Sequence, residues 1–220
     1  MAYLILVRHG ESVWNAKGVW TGITDVNLSD RGRHEAQLAG TAIKDIKINV
    51  CYCSALTRAK ETLNEIQVVC QCEDVPVNEH HALNERDYGE LTGKNKWQVR
   101  EEHGEEQFMK WRRSWDFPVP GGETLKDVYH RVVPYYEQTI LPDLQAGKNV
   151  IVAAHGNSLR ALVKRLENIA DDIIPTLEIA TGEVYLYEFD EKGSVLNKEI
   201  RTVAAVQPAV AETEQTSAVK

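Results

Sequence analysis

The sequence predicts an α/β fold, a three-layer α/β/α sandwich with a mainly parallel sheet in the middle. Two observations lead to this prediction. Short apolar runs rich in β-branched residues alternate with longer amphipathic stretches along the chain. The first four apolar runs lack the polar alternation of a half-exposed strand, which indicates strands buried on both faces. A parallel sheet with helices on both sides is the usual outcome of such alternation.

The predicted strands are short. Four buried strands are predicted over residues 3–7, 49–53, 75–77 and 149–154. A terminal hairpin is predicted over residues 184–189 and 195–201, since the Gly-containing stretch at 191–193 supplies a turn.

The predicted helices lie between these strands. Ser29 is a suitable N-cap for a helix that runs to about Ile46, because Ala36, Ala39 and Ile43 recur at helical spacing. Further helices are predicted over residues 56–69, 94–102, 106–115, 123–144 and 158–168.

The length and composition favour one domain. The chain has 220 residues, of which 43% are hydrophobic and 26% charged, a balance typical of a globular protein. Residues 1–203 are predicted to form a single catalytic domain. Residues 204–220 lack hydrophobic periodicity and are nearly free of bulky side chains, so we predict a flexible C-terminal tail there.

The formal net charge of −8 argues against a nucleic-acid partner that is recognised through the overall field. No apolar run approaches the roughly 20 residues that span a bilayer, and the first residues lack a basic leader segment. We therefore expect a cytoplasmic protein without a membrane partner. An acidic protein that binds an anion must gather its cations locally.

The four cysteines form two Cys-x-Cys pairs, Cys51 with Cys53 and Cys70 with Cys72. Structural zinc sites favour longer spacers between their cysteines. Alternate residues of a strand share one face, and a free cysteine behaves as a small hydrophobic residue. We expect these cysteines to be structural and no metal to be bound.

Chemically active side chains follow three of the predicted strands. Arg8 and His9 follow the first strand, Arg58 lies shortly after the second, and His155 follows the fourth. Ligands of open α/β sheets bind beyond the carboxyl ends of the strands, so these side chains are expected to converge. Arginine matches the oxygens of a phosphoryl group, and neutral imidazole is a competent nucleophile. The residues therefore predict an enzyme that acts on phosphate groups.

The segment Leu6-Val7-Arg8-His9-Gly10-Glu11-Ser12-Val13-Trp14-Asn15 resembles the signature of the histidine phosphatase superfamily. Within it, the chain is similar to the 2,3-bisphosphoglycerate-dependent phosphoglycerate mutase family. Further matching segments run in order from Leu4 to about Val203: 20–22, 25–29, 54–59, 83–89, 94–96, 111–113 and 153–162. This resemblance is more specific than any single motif.

The resemblance implies a role for each matching residue. His9 would carry the phosphoryl group, His155 would stabilise it during transfer, and Glu85 would be the general acid/base. The reacting phosphoryl group would be held by Arg8, Asn15, Arg58 and the backbone around Gly156 and Asn157. The carboxylate and second phosphate of the substrate would be held by Thr21, Gly22, Tyr88, Lys96, Arg112 and Arg113. The expected substrate-binding residues also include Gly10, Glu11, Ser12, Glu85 and Arg86.

The activity implied is interconversion of 3-phosphoglycerate and 2-phosphoglycerate, primed by 2,3-bisphosphoglycerate and independent of metal. One departure is that longer family members carry an insert after the segment matching Trp111-Arg112-Arg113, which this chain lacks. The shortened stretch resembles that of the phosphatases in the superfamily. The oligomeric state is therefore left as either a monomer or a small homo-oligomer. In the family the C-terminal tail lies over the site entrance. We therefore expect residues 204–220 to lie over the site in this chain.

Three alternatives remain at this point. A broad-specificity phosphatase would share the first half-reaction, with water as the acceptor. A non-catalytic relative that binds phosphate ligands is disfavoured, because both histidines, the arginines and Glu85 are all present. A dinucleotide-binding enzyme is disfavoured because no G-x-G-x-x-G follows the first strand.

Overall fold

Six strands form one sheet in the computed structural model, which describes residues 1–201. They are β1 (Ala2–Arg8), β2 (Val50–Ser54), β3 (Val77–His80), β4 (Val150–Ala154), β5 (Val184–Phe189) and β6 (Val195–Arg201). Their order across the sheet is β3-β2-β4-β1-β5-β6. The first four strands in this order are parallel, and β5 pairs antiparallel with both of its neighbours.

Seven α-helices accompany the sheet in the described part of the chain: α1 (Val13–Ala16), α2 (Asp30–Ala42), α3 (Thr57–Cys70), α4 (Lys96–Arg113), α5 (Leu125–Tyr135), α6 (Leu141–Gln145) and α7 (Gly156–Glu167). Ser29 caps α2 by accepting a hydrogen bond from the Gly32 N–H at 3.1 Å. A π-helical turn, Tyr136–Ile140, joins α5 to α6.

The two faces of the sheet support separate hydrophobic clusters. Leu4 and Leu6 of β1 pack in a cluster that includes side chains of α5 and α7. Ile5 and Val7 point to the opposite face and pack with side chains of α2 and α3. Because successive strand residues face opposite sides, β1 contributes to both clusters. The predicted three-layer sandwich with a mainly parallel sheet is confirmed.

The predicted elements differ from the structure in several places. The helix predicted to run to about Ile46 ends at Ala42. The third strand begins at Val77 rather than Val75, because β3 is an edge strand whose remaining residues are polar and give no apolar signal. The two helices predicted over 94–102 and 106–115 form one helix, α4, which is kinked at Gly104 (φ 80°). The helix predicted over 123–144 is interrupted by the π-helical turn that follows Pro134.

The cysteines of β2 occupy one face of the strand, as alternate residues should. Cys51 and Cys53 are both fully buried in the cluster beneath α2 and α3. Burial raises the pKa of the Cys51 thiol to about 12, so that this thiol stays protonated. All four cysteines are free thiols.

The predicted tail, residues 204–220, and its expected position over the site lie outside the described residues. Within residues 1–201, no helix combines the length and apolar character needed to cross a membrane.

Gly10 and Gly32 bring the loop after β1 into backbone contact with α2. A Cβ atom on Gly10 would stand 2.1 Å from the Gly32 carbonyl oxygen, and one on Gly32 would stand 2.0 Å from the Glu11 carbonyl oxygen. Side chains of any size are therefore excluded at both positions. The structure thus gives Gly10 a packing role that the sequence does not reveal.

We expect Gly10→Ala to lower the free energy of unfolding by about 1–3 kcal/mol or more, because the new methyl group overlaps backbone atoms rather than a movable side chain. Urea denaturation followed by circular dichroism measures this change. An unfolding midpoint equal to that of the parent protein would show that the loop shifts freely away from α2.

Candidate active site

The pairing of β1 with β4 places two histidines side by side. The strands are parallel with Arg8 opposite Ala154, so His9 and His155 are the residues that immediately follow each strand. The His9 N–H donates to the Ala154 carbonyl oxygen at 3.0 Å. The centroids of the two imidazole rings are 4.9 Å apart. The predicted convergence of strand-end histidines is therefore observed.

The His9 ring is oriented by its own loop. Its Nδ1 lies 2.6 Å from the Gly10 carbonyl oxygen, which can only accept, so Nδ1 carries the proton and Nε2 keeps a lone pair. Burial lowers the pKa of His9 well below its usual value, and the charges of Arg58 and Arg8 lower it further. The ring is therefore neutral and nucleophilic at Nε2 at physiological pH.

Arg58 places a buried positive charge next to His9. Its Nε points at His9 Nε2 over 3.4 Å, while Nη1 donates to the Thr24 carbonyl at 3.0 Å and Nη2 to the Gly22 carbonyl at 2.8 Å. Burial lowers the pKa of Arg58 to about 10, so the group stays charged. Within residues 1–201, Arg58 forms no ion pair with a carboxylate. This buried cation is fixed by neutral carbonyls and can pair with an added anion.

Three buried polar atoms around His9 have no hydrogen-bond partner within the described chain. They are Arg8 Nε, Thr21 Oγ1 and His155 Nδ1. The other end of the Arg8 guanidinium donates to the Ile179 carbonyl oxygen, which fixes its position. Unpartnered buried polar atoms are costly, so the presence of three beside His9 indicates that a polar ligand binds here.

Glu85 faces the same region with one oxygen uncommitted. Its Oε1 accepts from the Asn157 N–H at 3.1 Å and from Asn157 Nδ2 at 3.0 Å. Arg131 holds the preceding loop by donating to the carbonyls of Ala82, Asn84 and Glu85. With Oε1 anchored, Oε2 is available to exchange a proton with a bound hydroxyl group.

The site is a cleft made of two adjoining cavities, one smaller than the other. The smaller contains the His9 ring and is lined by Arg8, His9, Asn15, Thr21, Gly22, Arg58, Glu85, Tyr88 and Lys96. The larger is lined by Arg8, Trp20, Glu85, Tyr88, Lys96, Arg112, Arg113, Gly156, Asn157, Arg160, Glu178 and Ile179. Arg8, Glu85, Tyr88 and Lys96 line both cavities, so the two are continuous.

Positive charge dominates the larger cavity. Its cations outnumber its carboxylates, which are Glu85 and Glu178. Burial lowers the pKa of Lys96 to about 8, with further lowering by the charges of Arg112 and Arg8. The local concentration of cations that an acidic anion-binding protein requires is present at this cleft.

Some predicted site residues lie outside the cleft walls. Glu11 accepts from Ser29 Oγ at 2.8 Å through its side chain, and Ser12 caps α1. Arg86 is fully buried, donates to the Trp111 carbonyl, and stacks 4.4 Å from the centroid of the Tyr88 ring. These residues support neighbours that line the cleft and do not line it themselves.

The sequence prediction missed four residues of the larger cavity: Trp20, Arg160, Glu178 and Ile179. Arg160 lies one helical turn after Asn157 and donates to its Oδ1 at 3.0 Å, so helical spacing could have identified it. Glu178 accepts from Arg113 at 2.6 Å from a loop before β5, and no local sequence signal identifies it.

A family model of the histidine phosphatase superfamily, branch 1, matches residues 4–200 of the chain. The chain belongs to this superfamily. Its recognition from the sequence is confirmed. Among solved structures, a histidine phosphatase-like fold is shared with a mycobacterial glucosyl-3-phosphoglycerate phosphatase, with a TM-score of 0.79 and 20% identity over 92% of this chain and 98% of that one.

Two curated members of the superfamily show how its length varies. A protein of Parvibaculum lavamentivorans is 49% identical over 199 residues, which cover 90% of this chain and 95% of the relative. A protein of Gloeothece citriformis is 42% identical over 229 aligned positions, which cover 90% of this chain and 98% of the relative. Both are named 2,3-bisphosphoglycerate-dependent phosphoglycerate mutase. The name thus covers relatives without and with inserted segments.

Gly156 provides a direct test of the cleft. A Cβ atom there would stand 3.6 Å from Glu85 Oε2 and from Arg8 Nε, which is ordinary contact within the site. We expect Gly156→Ala to reduce turnover at least about tenfold, because the methyl group takes space between the Glu85 carboxylate and the Arg8 guanidinium. Its unfolding midpoint should stay close to that of the parent protein, unlike that of Gly10→Ala. Unchanged turnover would show that substrate avoids this space.

Proposed function

We propose that this enzyme interconverts 3-phosphoglycerate and 2-phosphoglycerate by moving a phosphoryl group through His9. The observation that carries the proposal is the continuity of the two cavities. The smaller surrounds a nucleophilic imidazole with arginines, and the larger holds the additional cations Lys96, Arg112 and Arg113. A substrate with a phosphate at one end and further negative charge at the other fits this arrangement.

The relatives support the same activity. Several curated proteins at 45–49% identity over about 90% of this chain are named as this mutase. The phosphatase alternative depended on the missing insert. Because short relatives carry the mutase name as well, the missing insert does not favour the phosphatase.

In the forward half-reaction, the phosphoryl group leaves His9 Nε2 for the free hydroxyl of phosphoglycerate. The N–P bond breaks as the new O–P bond forms, and Glu85 Oε2 takes the proton of the hydroxyl. In the reverse half-reaction, Glu85 returns the proton to the oxygen that loses its phosphoryl group to His9. The phosphoryl group and the proton are both returned over the two half-reactions, so no further reactant is needed.

The site's cations stabilise the transferring group. Arg8 and Arg58 are held by the carbonyls of Ile179, Gly22 and Thr24, so they need no rearrangement when charge moves onto the phosphoryl oxygens. Preorganised donors of this kind supply most of the catalysis in phosphoryl transfer.

The residues present fit 2,3-bisphosphoglycerate as the primer. The unpartnered atoms at Arg8, Thr21 and His155 suit one phosphate, and Lys96, Arg112 and Arg113 suit the other anionic groups. When bound, this compound supplies the phosphoryl group that His9 carries. No metal enters the proposed mechanism.

We further propose that residues 1–203 form one catalytic domain, that the protein is cytoplasmic, and that it acts as a monomer or small homo-oligomer without nucleic-acid or membrane partners. Two hydrophobic clusters that share a single sheet support the one-domain proposal.

The first test is conversion of 3-phosphoglycerate to 2-phosphoglycerate with EDTA present, with and without a trace of 2,3-bisphosphoglycerate. We expect stimulation by the trace, and a loss of at least about a thousandfold in His9→Ala, because the nucleophile is removed. His130→Ala is the matched control, since His130 lies on α5 outside both cavities. Release of inorganic phosphate from varied esters without interconversion would establish the phosphatase instead.

Lys96 should give substrate binding a pH dependence. Its pKa of about 8 in the free enzyme means that it is charged below this pH and neutral above it. Because the substrate stays anionic, we expect KM to rise as the pH passes through about 8. In Lys96→Met, KM should be higher at neutral pH and should lack this rise. A KM profile in Lys96→Met that matches the parent would assign the rise to another group.

A further inference from the structure

Ser54 and Asn84 form a hydrogen-bonded chain with the ring of His155. Ser54 is the last residue of β2 and Asn84 precedes Glu85. The distance between His155 Nε2 and Ser54 Oγ is 2.7 Å, and that between Ser54 Oγ and Asn84 Oδ1 is 2.8 Å. Ser54 and His155 are completely buried, so water does not compete for these bonds.

The direction of each bond in this chain can be assigned. The Ala55 backbone N–H donates to the Asn84 side chain at 3.1 Å, which identifies the receiving atom as the oxygen Oδ1. Since Oδ1 can only accept, the Ser54 hydroxyl must donate its single hydrogen to Asn84. The Leu56 N–H donates to Ser54 Oγ at 3.1 Å, which is consistent with an acceptor role for that oxygen.

The His155 tautomer follows from this assignment. Ser54 has no second hydrogen to offer, so its Oγ accepts from His155 and the proton of neutral His155 is on Nε2. His155 Nδ1 then bears a lone pair, and it is buried without a partner within residues 1–201. His9 has the opposite tautomer, since its Nδ1 donates to the Gly10 carbonyl.

We propose that Ser54 and Asn84 are positioning residues that fix His155 in the Nε2–H tautomer, so that His155 donates to the transferring phosphoryl group from Nδ1 only after taking up a proton. This inference extends the proposed function and rests on it for the identity of the ligand. His9 thereby presents a lone pair, and His155 presents a cationic donor. The two neighbouring imidazoles thus differ in protonation because their hydrogen-bond partners differ.

The surroundings of His155 make proton uptake depend on the ligand. Burial lowers the pKa of His155 well below its usual value, and nearby cationic groups lower it further. The groups that act on it are Arg8 and His9 at the end of β1, Arg58 of α3 and Arg131 of α5, while Glu85 is the nearby carboxylate on the adjacent loop. A bound dianion offsets the repulsion by the arginines, so the proton arrives with the anion.

The tautomer can be measured directly in the free enzyme, whatever its substrate. Long-range ¹H–¹⁵N correlation spectra distinguish the two neutral forms of each histidine. We expect His155 as Nε2–H and His9 as Nδ1–H, with His155 becoming doubly protonated when sulfate, a dianion that does not titrate near neutral pH, is added. A neutral His155 protonated at Nδ1 in the parent protein would overturn the inference without touching the proposed function.

Ser54→Ala removes the acceptor, and Ser54→Thr keeps a hydroxyl group. We expect Ser54→Ala to lower kcat about tenfold to a hundredfold with little change in KM, the range known for partners that orient metal-ligating histidines. Its proton uptake on binding sulfate, measured by calorimetry in buffers of different ionisation enthalpy, should fall below that of the parent. Ser54→Thr should recover both quantities.

Asn84→Ala provides the second variant, because it frees the Ser54 hydroxyl to donate to His155 Nε2 and thus favours the other tautomer. Its kcat should fall as in Ser54→Ala, and the double variant should be no slower than Ser54→Ala alone, since the residues act as one unit. Thermal unfolding midpoints exclude loss of folding. If Ser54→Ala lowers kcat but takes up as many protons on binding sulfate as the parent protein, Ser54 has only a packing role and the inference is overturned.

Discussion

The parallel pairing of β1 with β4 is the constraint on which the active site depends. Both strands are buried on both faces, and their apolar side chains fill two separate clusters. A slip of one residue would exchange these faces, so the hydrophobic core fixes the register. With Arg8 opposite Ala154, the next residue of each strand is a histidine. The packing that stabilises the domain therefore also sets the spacing of His9 and His155.

The second constraint is how the cleft holds its positive charges. Arg58 and Arg160 are buried and are held by neutral groups, including the carbonyls of Gly22 and Thr24 for Arg58 and of Ile174 for Arg160. In a chain with a net charge of −8, carboxylates were available as partners. Carbonyls orient a guanidinium without neutralising it, so its charge remains available to a ligand. The desolvation of these cations costs stability in the free protein and is offset when an anion binds.

The sequence was sufficient for the parts of this structure that depend on local pattern. Apolar runs located the central strands, and the strand-end position of Arg8, His9 and His155 predicted a phosphate site. The polar edge strand β3 gave too weak an apolar signal. The contact of Gly10 with Gly32 and the bonds that Ser54 makes join segments far apart in the chain, so no local pattern reveals them. Roles for individual residues came from the family resemblance, since spacing alone does not distinguish a catalytic carboxylate from a surface one.

The shape of the cleft helps to explain how a mutase differs from a phosphatase that forms the same phosphohistidine. Water can attack the phosphorylated imidazole in either kind of enzyme, so the outcome depends on keeping the acceptor hydroxyl close to His9. The bound molecule must also turn between the half-reactions so that each of its phosphates reaches His9 in turn. Such a turn requires cations at both ends of the cleft and a cation between them. Lys96 lines both cavities, and the charges of Arg112 and Arg8 both act on it. A hydrolase needs only the cations beside His9. The additional cations of the larger cavity, which continues from the smaller one past Lys96, suit the transfer of phosphoryl groups to and from one bound molecule.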